Sequence, residues 1–279
     1  MAIIISAYVG ARPGGQPPPN LSTVPVPRSG DPNHFFRFLL AFANADSNGT
    51  FTPLWDNSIT PDIIAKLTQN NSNISFGASL GGANAPWTAP SDQAAEAWIT
   101  NATNSIIDII DTYHLTNLDI DYENGANDPS FAPILGQVLN NVWDHFLVRT
   151  PEGGFSDPLN LSYAPFNQTE TAYRSLYSIQ STNVIINYQA YADFNSPSVN
   201  DYLNLYTNTL APAYSPDRTL FVLGLGVASS TSAPRGLQPP DIFTVWNDLK
   251  SQGLGGAMVF SLEDSAKNGY PIERTLLSG

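Results

Sequence analysis

Short apolar runs closed by turn-forming residues recur along the chain: Ile3 to Val9, Phe36 to Ala43, Ile74 to Ser79, Leu118 to Tyr122, Leu159 to Ala164, Val184 to Tyr191, Leu220 to Leu225 and Ala257 to Leu262. Runs this short and this continuously apolar predict eight buried strands. Helical patterns lie between most of them. Thr60 as N-cap and Pro61 open one, with Ile63, Ile64 and Leu67 on its apolar face. Ser91 and Asp92 open another, through Trp98, Ala102, Ile106, Ile109, Ile110 and Tyr113 at spacings of three and four. Pro239, Pro240 and Asp241 introduce a third, with Phe243, Trp246 and Leu249, which Gly253 closes.

Strands alternating with helices imply a parallel sheet, and eight repeats imply a closed (β/α)8 TIM barrel over an open doubly wound sheet. With no linker-like charge run and no composition shift, residues 1–279 read as a single domain of this kind. The Pro- and Gly-rich stretch from Ala11 to Asn33 has no helical period, so the first βα connection is expected to be irregular. It is either a substrate-facing loop, since active sites of this fold sit at the C-terminal ends of the strands, or a solvated surface loop.

Composition removes several classes of chemistry. The chain has no cysteine, which excludes disulfides, thiolate metal sites and cysteine nucleophiles. A net charge of −13 with 11 Lys plus Arg removes the counterion-release attraction behind nucleic-acid binding. A neutral ligand such as a carbohydrate meets little repulsion from this field. No apolar run approaches the ~20 residues of a membrane span, and Ile3 to Val9 reads as a buried first strand, not a signal peptide. Asn-x-Ser/Thr sequons start at Asn20, Asn48, Asn70, Asn73, Asn101, Asn160 and Asn167, which favours a secreted or vacuolar location. His34, His114 and His145 lack ligand spacing, so no metal site and no cofactor are expected.

The fourth run carries the candidate chemistry. Asp119, Asp121 and Glu123 are two residues apart, so on a strand they share one face, which in a barrel is the interior. Same-face neighbours lie roughly 7 Å apart along a strand, too near for three carboxylates to ionise comfortably with little water between them. At least one pKa should rise, which prepares a general acid at the outermost position, Glu123. The alternatives are a solvated acidic strand end or a Ca²⁺ site with oxygen ligands. Barrel interiors are usually filled by branched apolar residues, so the cost of three acids there argues for a function.

Leu118-Asp119-Ile120-Asp121-Tyr122-Glu123 resembles the D-G-x-D-x-D-x-E signature of glycoside hydrolase family 18. Ser79-Leu80-Gly81-Gly82 is similar to the S-x-G-G of that family's third strand, and Ala164-Pro165-Phe166 ends the fifth. Gln189-Ala190-Tyr191 resembles its Q-x-Y, and Gly255 to Ser261 its last strand. In order and spacing these pieces span nearly the whole chain and most resemble the cysteine-free plant-type chitinases and their narbonin-like relatives.

The resemblance implies a retaining glycosidase that cleaves β-1,4 links of N-acetylglucosamine, as a chitinase or an endo-β-N-acetylglucosaminidase, with the substrate's own amide as nucleophile. Glu123 would protonate the leaving oxygen. Asp121 would hold the acetamido N–H, Asp119 would hold Asp121 through a shared proton, and Tyr191 would orient the acetamido oxygen. Gln189, Phe260, Tyr8, Phe42 and Gly81 would line the sugar site, with Tyr8 and Phe42 completing an aromatic wall. The implied partner is chitin or another N-acetylglucosamine-containing oligosaccharide, and the protein is expected to act as a monomer. Three positions depart from the pattern. Thr116 and Asn117 replace an Asp and a Gly, and Phe260 stands where a tryptophan is common, keeping an apolar platform but losing area and the indole N–H. These departures keep open a catalytically weak or inactive member: a lectin, a storage protein or an enzyme inhibitor. Asp193, near the predicted mouth, is offset from the family pattern and unassigned.

Overall fold

Inward and outward residues alternate along each strand, and the two sets belong to separate apolar clusters. Ile5, Ala7 and Val9, Phe36, Phe38 and Leu40, and Leu118 and Ile120 face outward into the large core beneath the helices. Tyr8, Leu39, Ala41, Ile185, Val222 and Met258 form the smaller cluster inside. The computed structural model describes residues 2–11, 15–83, 85, 90–91, 93–123, 130–148, 159–180, 184–193, 198–214, 217–227, 235–237 and 241–278.

The strands are β1 (Ile3–Val9), β2 (His34–Ala45), β3 (Phe51–Pro53), β4 (Ile74–Gly81), β5 (Asn117–Asp121), β6 (Asn160–Tyr163), β7 (Ile185–Tyr188), β8 (Phe221–Gly224), β9 (Gly226–Val227), β10 (Arg235–Gly236) and β11 (Gly256–Val259). Eight of them pair in parallel in the order β1, β11, β8, β7, β6, β5, β4, β2, and the β1–β2 pairing closes the barrel. This is the (β/α)8 barrel read from the pattern. The helices are α1 (Pro61–Asn70), α2 (Ala95–Tyr113), α3 (Phe131–Val148), α4 (Glu170–Ile179), α5 (Ala190–Asp193), α6 (Val199–Asn204), α7 (Ala211–Ala213), α8 (Asp241–Ser251), α9 (Leu262–Lys267) and α10 (Pro271–Ser278). A π-helical turn, Leu205–Leu210, joins α6 to α7.

The differences from the sequence reading have physical causes. The strand expected to end at Ala43 continues to Ala45, because β2 outruns the barrel and pairs antiparallel with β3. Asp46 makes that turn by accepting the backbone N–H groups of Asn48 (2.9 Å) and Thr50 (3.0 Å). β7 stops at Tyr188, so Gln189 emerges at the mouth and Tyr191 rides the helical turn α5. β11 likewise stops at Val259, and Leu262 starts a helix instead of ending a strand.

Thr60 caps α1 by accepting the Ile63 N–H, but Ile63 is itself exposed and Ile64 is the buried residue. α2 begins at Ala95, later than Ser91 and Asp92 suggest, with no side-chain cap; Asp92 lies outside the described residues, as do Pro239 and Pro240. The buried face of α8 is Ile242, Val245, Trp246 and Leu249, while Phe243 is exposed. Between β1 and β2 the described residues hold a 3₁₀ turn, Leu21–Thr23, and no α-helix, so the first connection is irregular as expected. Residues 12–14 of it are not described.

Candidate active site

Asp119 and Asp121 lie on β5 with inward parity, 0% and 3% exposed, and Glu123 follows two residues beyond Asp121, half-buried at the rim. Parallel pairing brings Ser79 of β4 and Ser162 of β6 level with Asp119. Asp119 accepts four hydrogen bonds: from Tyr8 Oη (2.9 Å) and Ser79 Oγ (2.8 Å) on Oδ2, and from Ser162 Oγ (2.5 Å) and Asn187 Nδ2 (3.0 Å) on Oδ1. Burial pushes its pKa up, and these four donors oppose the rise.

Asp121 is arranged differently. Its Oδ1 accepts from Gln189 Nε2 at 2.8 Å, and its carboxyl shares a hydrogen bond with that of Glu123. Burial drives the Asp121 pKa well above the usual range, and the negative charges of Glu123 and Asp119 add to it. Burial also raises Glu123, against the hydrogen bonds from Gln189 and Asp121. Two buried carboxyls in contact titrate as one unit and keep a proton between them at pH values where isolated carboxyls have lost theirs. Such a pair can hand a proton to an atom placed above Glu123.

The glycines of the S-x-G-G run make the geometry accessible. Gly81 has φ of +125°, and a Cβ there would collide with the Asp121 carbonyl oxygen. Gly82 donates its N–H to that same oxygen at 2.8 Å, and a Cβ on it would strike the Phe42 ring. The ends of β4 and β5 thus meet without side chains between them.

Phe42, Gly81, Asp121, Glu123, Tyr191 and Phe260 line a cleft of about 360 Å³, together with Gln189 and Asn44. Phe260 stacks on Tyr191 (centroids 6.1 Å apart) and on Phe42 (6.5 Å). Tyr8, expected on the aromatic wall, is 1% exposed and lies against the Phe260 edge at 5.8 Å, so its ring supports the wall while its hydroxyl serves Asp119. The Tyr191 hydroxyl donates to Gln189 Oε1 at 3.1 Å, and Gln189 joins it to Asp121. Asp193 accepts from Tyr188 Oη (2.7 Å) and the Asn167 N–H (2.9 Å), and so ties the loop after β6 to β7.

Sequence reasoning misses some contributors. Ser162 and Asn187 are detectable in principle, being polar residues at inward parity within apolar strands. Tyr173 is not, because it reaches the site from α4. Its hydroxyl donates to the Ile120 carbonyl (2.8 Å) and accepts the Tyr122 N–H (2.5 Å), serving a backbone group at the point where β5 ends and the chain turns to Glu123. Among the described residues, no group of three or more His, Cys, Asp or Glu side chains is arranged to hold a metal ion.

Comparisons with known proteins bear on the fold and the family. No family model matches the sequence. Chitinase 1 of Tulipa saxatilis subsp. bakeri is 30% identical over 283 residues, covering 95% of this chain and 82% of that protein. The catalytic domain of a GH18 chitinase from the fern Peteris ryukyuensis superposes with a TM-score of 0.80 at 27% identity, covering 99% of this chain and 98% of the other. A RuBisCO-associated protein of Glycine max is 34% identical over 113 residues, 38% of this chain and 40% of that protein.

Proposed function

Since the chain belongs to glycoside hydrolase family 18, we propose that it hydrolyses β-1,4 links of N-acetylglucosamine, in chitin or in the core of N-glycans, with retention and with help from the substrate's own acetamido group. The observation that carries this reading is the hydrogen-bonded Asp121–Glu123 pair at the floor of an aromatic cleft, with Gln189 and Tyr191 beside it. Glu123 gives its proton to the glycosidic oxygen as the C1–O bond breaks, and the acetamido oxygen closes on C1 to form an oxazolinium ion. Asp121 accepts the acetamido N–H and offsets the positive charge that develops. Tyr191 turns its hydroxyl from Gln189 to the acetamido oxygen. Water then attacks C1, its proton passes to Glu123, and the ring opens to the retained product.

Most retaining glycosidases place a second carboxylate about 5 Å from the acid as nucleophile. Here Asp121 is hydrogen-bonded to Glu123 and buried beside it, a position suited to the substrate amide and not to attack on C1. A chitin oligomer and a high-mannose glycopeptide, each incubated with the wild type and with Glu123→Gln, test the reading. Release of reducing ends from either by the wild type, with a loss of roughly 10²–10⁴-fold in the variant, is expected from the contribution of general acid catalysis. Equal rates, or none in either, would remove it.

A second reading, a carbohydrate-binding member without turnover, is favoured by Thr116, Asn117 and Phe260 and by the likeness to the Glycine max protein. Asn117 fills its position with structure: its Nδ2 donates to Ser75 Oγ (2.8 Å) and to the Phe76 carbonyl (3.1 Å). Oligosaccharide binding by the wild type with no reducing ends released would select this reading.

A further inference from the structure

Asp193 stands outside the chemistry proposed above, yet both of its carboxylate oxygens are engaged. It closes α5, the four-residue turn Ala190–Asp193 that carries Tyr191 at the barrel mouth. A single helical turn is far too short to hold its shape alone. The direction of the Tyr191 side chain therefore depends on what fastens the turn at each end.

Gln189 fastens the near end. Its backbone N–H donates to the Pro165 carbonyl (2.8 Å), and its Nε2 donates to the Ala164 carbonyl (2.8 Å) and to Asp121 Oδ1 (2.8 Å). Asp193 fastens the far end. Its Oδ1 accepts the Asn167 N–H at 2.9 Å and its Oδ2 accepts the Tyr188 hydroxyl at 2.7 Å. Both ends of the turn are thus fixed to residues 164–167, which follow β6. That segment is itself anchored. The Ala164 N–H donates to the Ile120 carbonyl of β5 (2.9 Å), and Thr169 accepts the Phe166 N–H on its Oγ1 (2.8 Å) while donating its own N–H to the Phe166 carbonyl (2.8 Å). Tyr188 is 1% exposed, and burial, with the Asp193 charge behind it, raises its pKa, so its hydroxyl stays a donor.

Between these anchors the seat of Tyr191 is narrow. The ring stacks on Phe260 with centroids 6.1 Å apart, and a Cβ added at Gly224 would come within 3.0 Å of its Cδ1. The hydroxyl donates to Gln189 Oε1 at 3.1 Å. Gln189, Tyr191 and Ala192 form the cleft wall at this point. Asp193 directs its carboxylate behind that wall, to donors of the protein.

We propose that Asp193 is a positioning residue for Tyr191: by bracing the far end of α5 against the loop after β6 and against Tyr188, it fixes where the Tyr191 hydroxyl points in the cleft. The effect on turnover rests on the proposed hydrolysis; the bracing does not.

The test is a kinetic cycle on a chitin oligomer with wild type, Asp193→Ala, Tyr191→Phe and the double variant. Asp193→Ala should lower kcat roughly 10- to 100-fold, as misplacement of a reacting group does, with KM changed by less than about threefold. In the Tyr191→Phe background the same change should cost no more than about twofold, because the hydroxyl it positions is gone. Asp193→Asn keeps an oxygen for the Asn167 N–H and turns an amide N–H toward the Tyr188 oxygen, so it should restore most of the rate lost in Asp193→Ala. Losses that multiply across the cycle, or an Asp193→Asn as slow as Asp193→Ala, would overturn the proposal. Should Asp193→Ala fail to fold, Tyr188→Phe removes one of the two donors without loss of ring packing. It carries the same cycle with the same criterion. A crystal structure of Asp193→Ala, or of Tyr188→Phe in its place, needs no turnover: the Tyr191 hydroxyl should leave Gln189 Oε1 and the ring should shift from Phe260. That displacement in a protein whose wild type releases no reducing ends would sustain the brace and reject the hydrolase. Cleavage by the wild type, with Tyr191 unmoved in the variant, would do the reverse.

Discussion

Gly81 shows how much of the site is decided by one missing side chain. Its φ of +125°, and the collision that a Cβ would make with the Asp121 carbonyl, leave no place for any other residue. Gly81→Ala must move the end of β4 away from β5, and a forced left-handed φ alone costs on the order of 1–2 kcal/mol. With the backbone clash added, a total loss of roughly 3 kcal/mol is expected, read as a fall of about 6–12 °C in Tm. Phe260 sets affinity by a different route. It is the ring on which Tyr191 and Phe42 both stack, and a sugar face would lie on the same platform. Introduced into a Glu123→Gln background that binds without cleaving, Phe260→Ala should weaken chitin-oligomer binding about tenfold or more, measured by calorimetry. Unchanged affinity would place the sugar elsewhere.

At the scale of elements, α4 reaches the barrel and α10 reaches α9, each through one buried polar side chain. Tyr173 lends α4 a hydroxyl to the end of β5, so Tyr173→Phe leaves the Tyr122 N–H without that partner one residue before Glu123. The two backbone hydrogen bonds lost with that hydroxyl are worth about 1 kcal/mol each, and the shift their loss allows in Glu123 should appear in kcat more than in KM. In α10, Glu273 is fully buried, with one oxygen accepting from Ser265 Oγ (2.6 Å) and the other without a partner among the described residues. Burial raises its pKa. A carboxyl raised in the folded state is protonated in both states at low pH, and its contribution to stability is lost as pH climbs from the unfolded value of about 4.3 through the folded one. Glu273→Gln should therefore match the wild-type Tm near pH 4 and exceed it at pH 7. The strands are legible in the sequence because a closed barrel buries both faces, leaving an apolar run bounded by turn residues. The β2–β3 hairpin is not, since a three-residue strand whose one exposed residue is Thr52 carries no period. The pattern misplaces the start of α2 because Ser91 and Asp92 look like caps whether or not the chain uses them, and it sets Phe243 on the buried face of α8 by a spacing that Ile242 and Val245 satisfy better.

Over the whole molecule, the sequence discloses the catalytic-type carboxylates but not how charge is distributed around them. The two-residue spacing of Asp119, Asp121 and Glu123 fixes a shared face from any vantage. That Asp119 is held by four neutral donors, while Asp121 meets Glu123, depends on which residues of β1, β4, β6 and β7 come level with β5, and register across a barrel is not written in one segment. The net charge of −13 acts on the same pair from a distance. A negative field favours the protonated pair, so it raises the pH at which the last shared proton leaves, in the same direction as burial. In the proposed mechanism that proton is the one delivered to the leaving oxygen, so activity should fall as pH rises through an apparent pKa above the ordinary carboxylate range. Salt screens the distant surface charges over about 8–10 Å at 0.1–0.15 M but hardly touches the contact inside the barrel. Raising NaCl from about 0.05 to about 0.5 M should then move the alkaline limb of the kcat profile to lower pH by a few tenths of a unit, while KM for a neutral chitin oligomer stays within about twofold, because no long-range attraction draws that substrate in. A limb that moved to higher pH with salt would mean that nearby positive charge, and not the acidic surface, governs the proton of the pair.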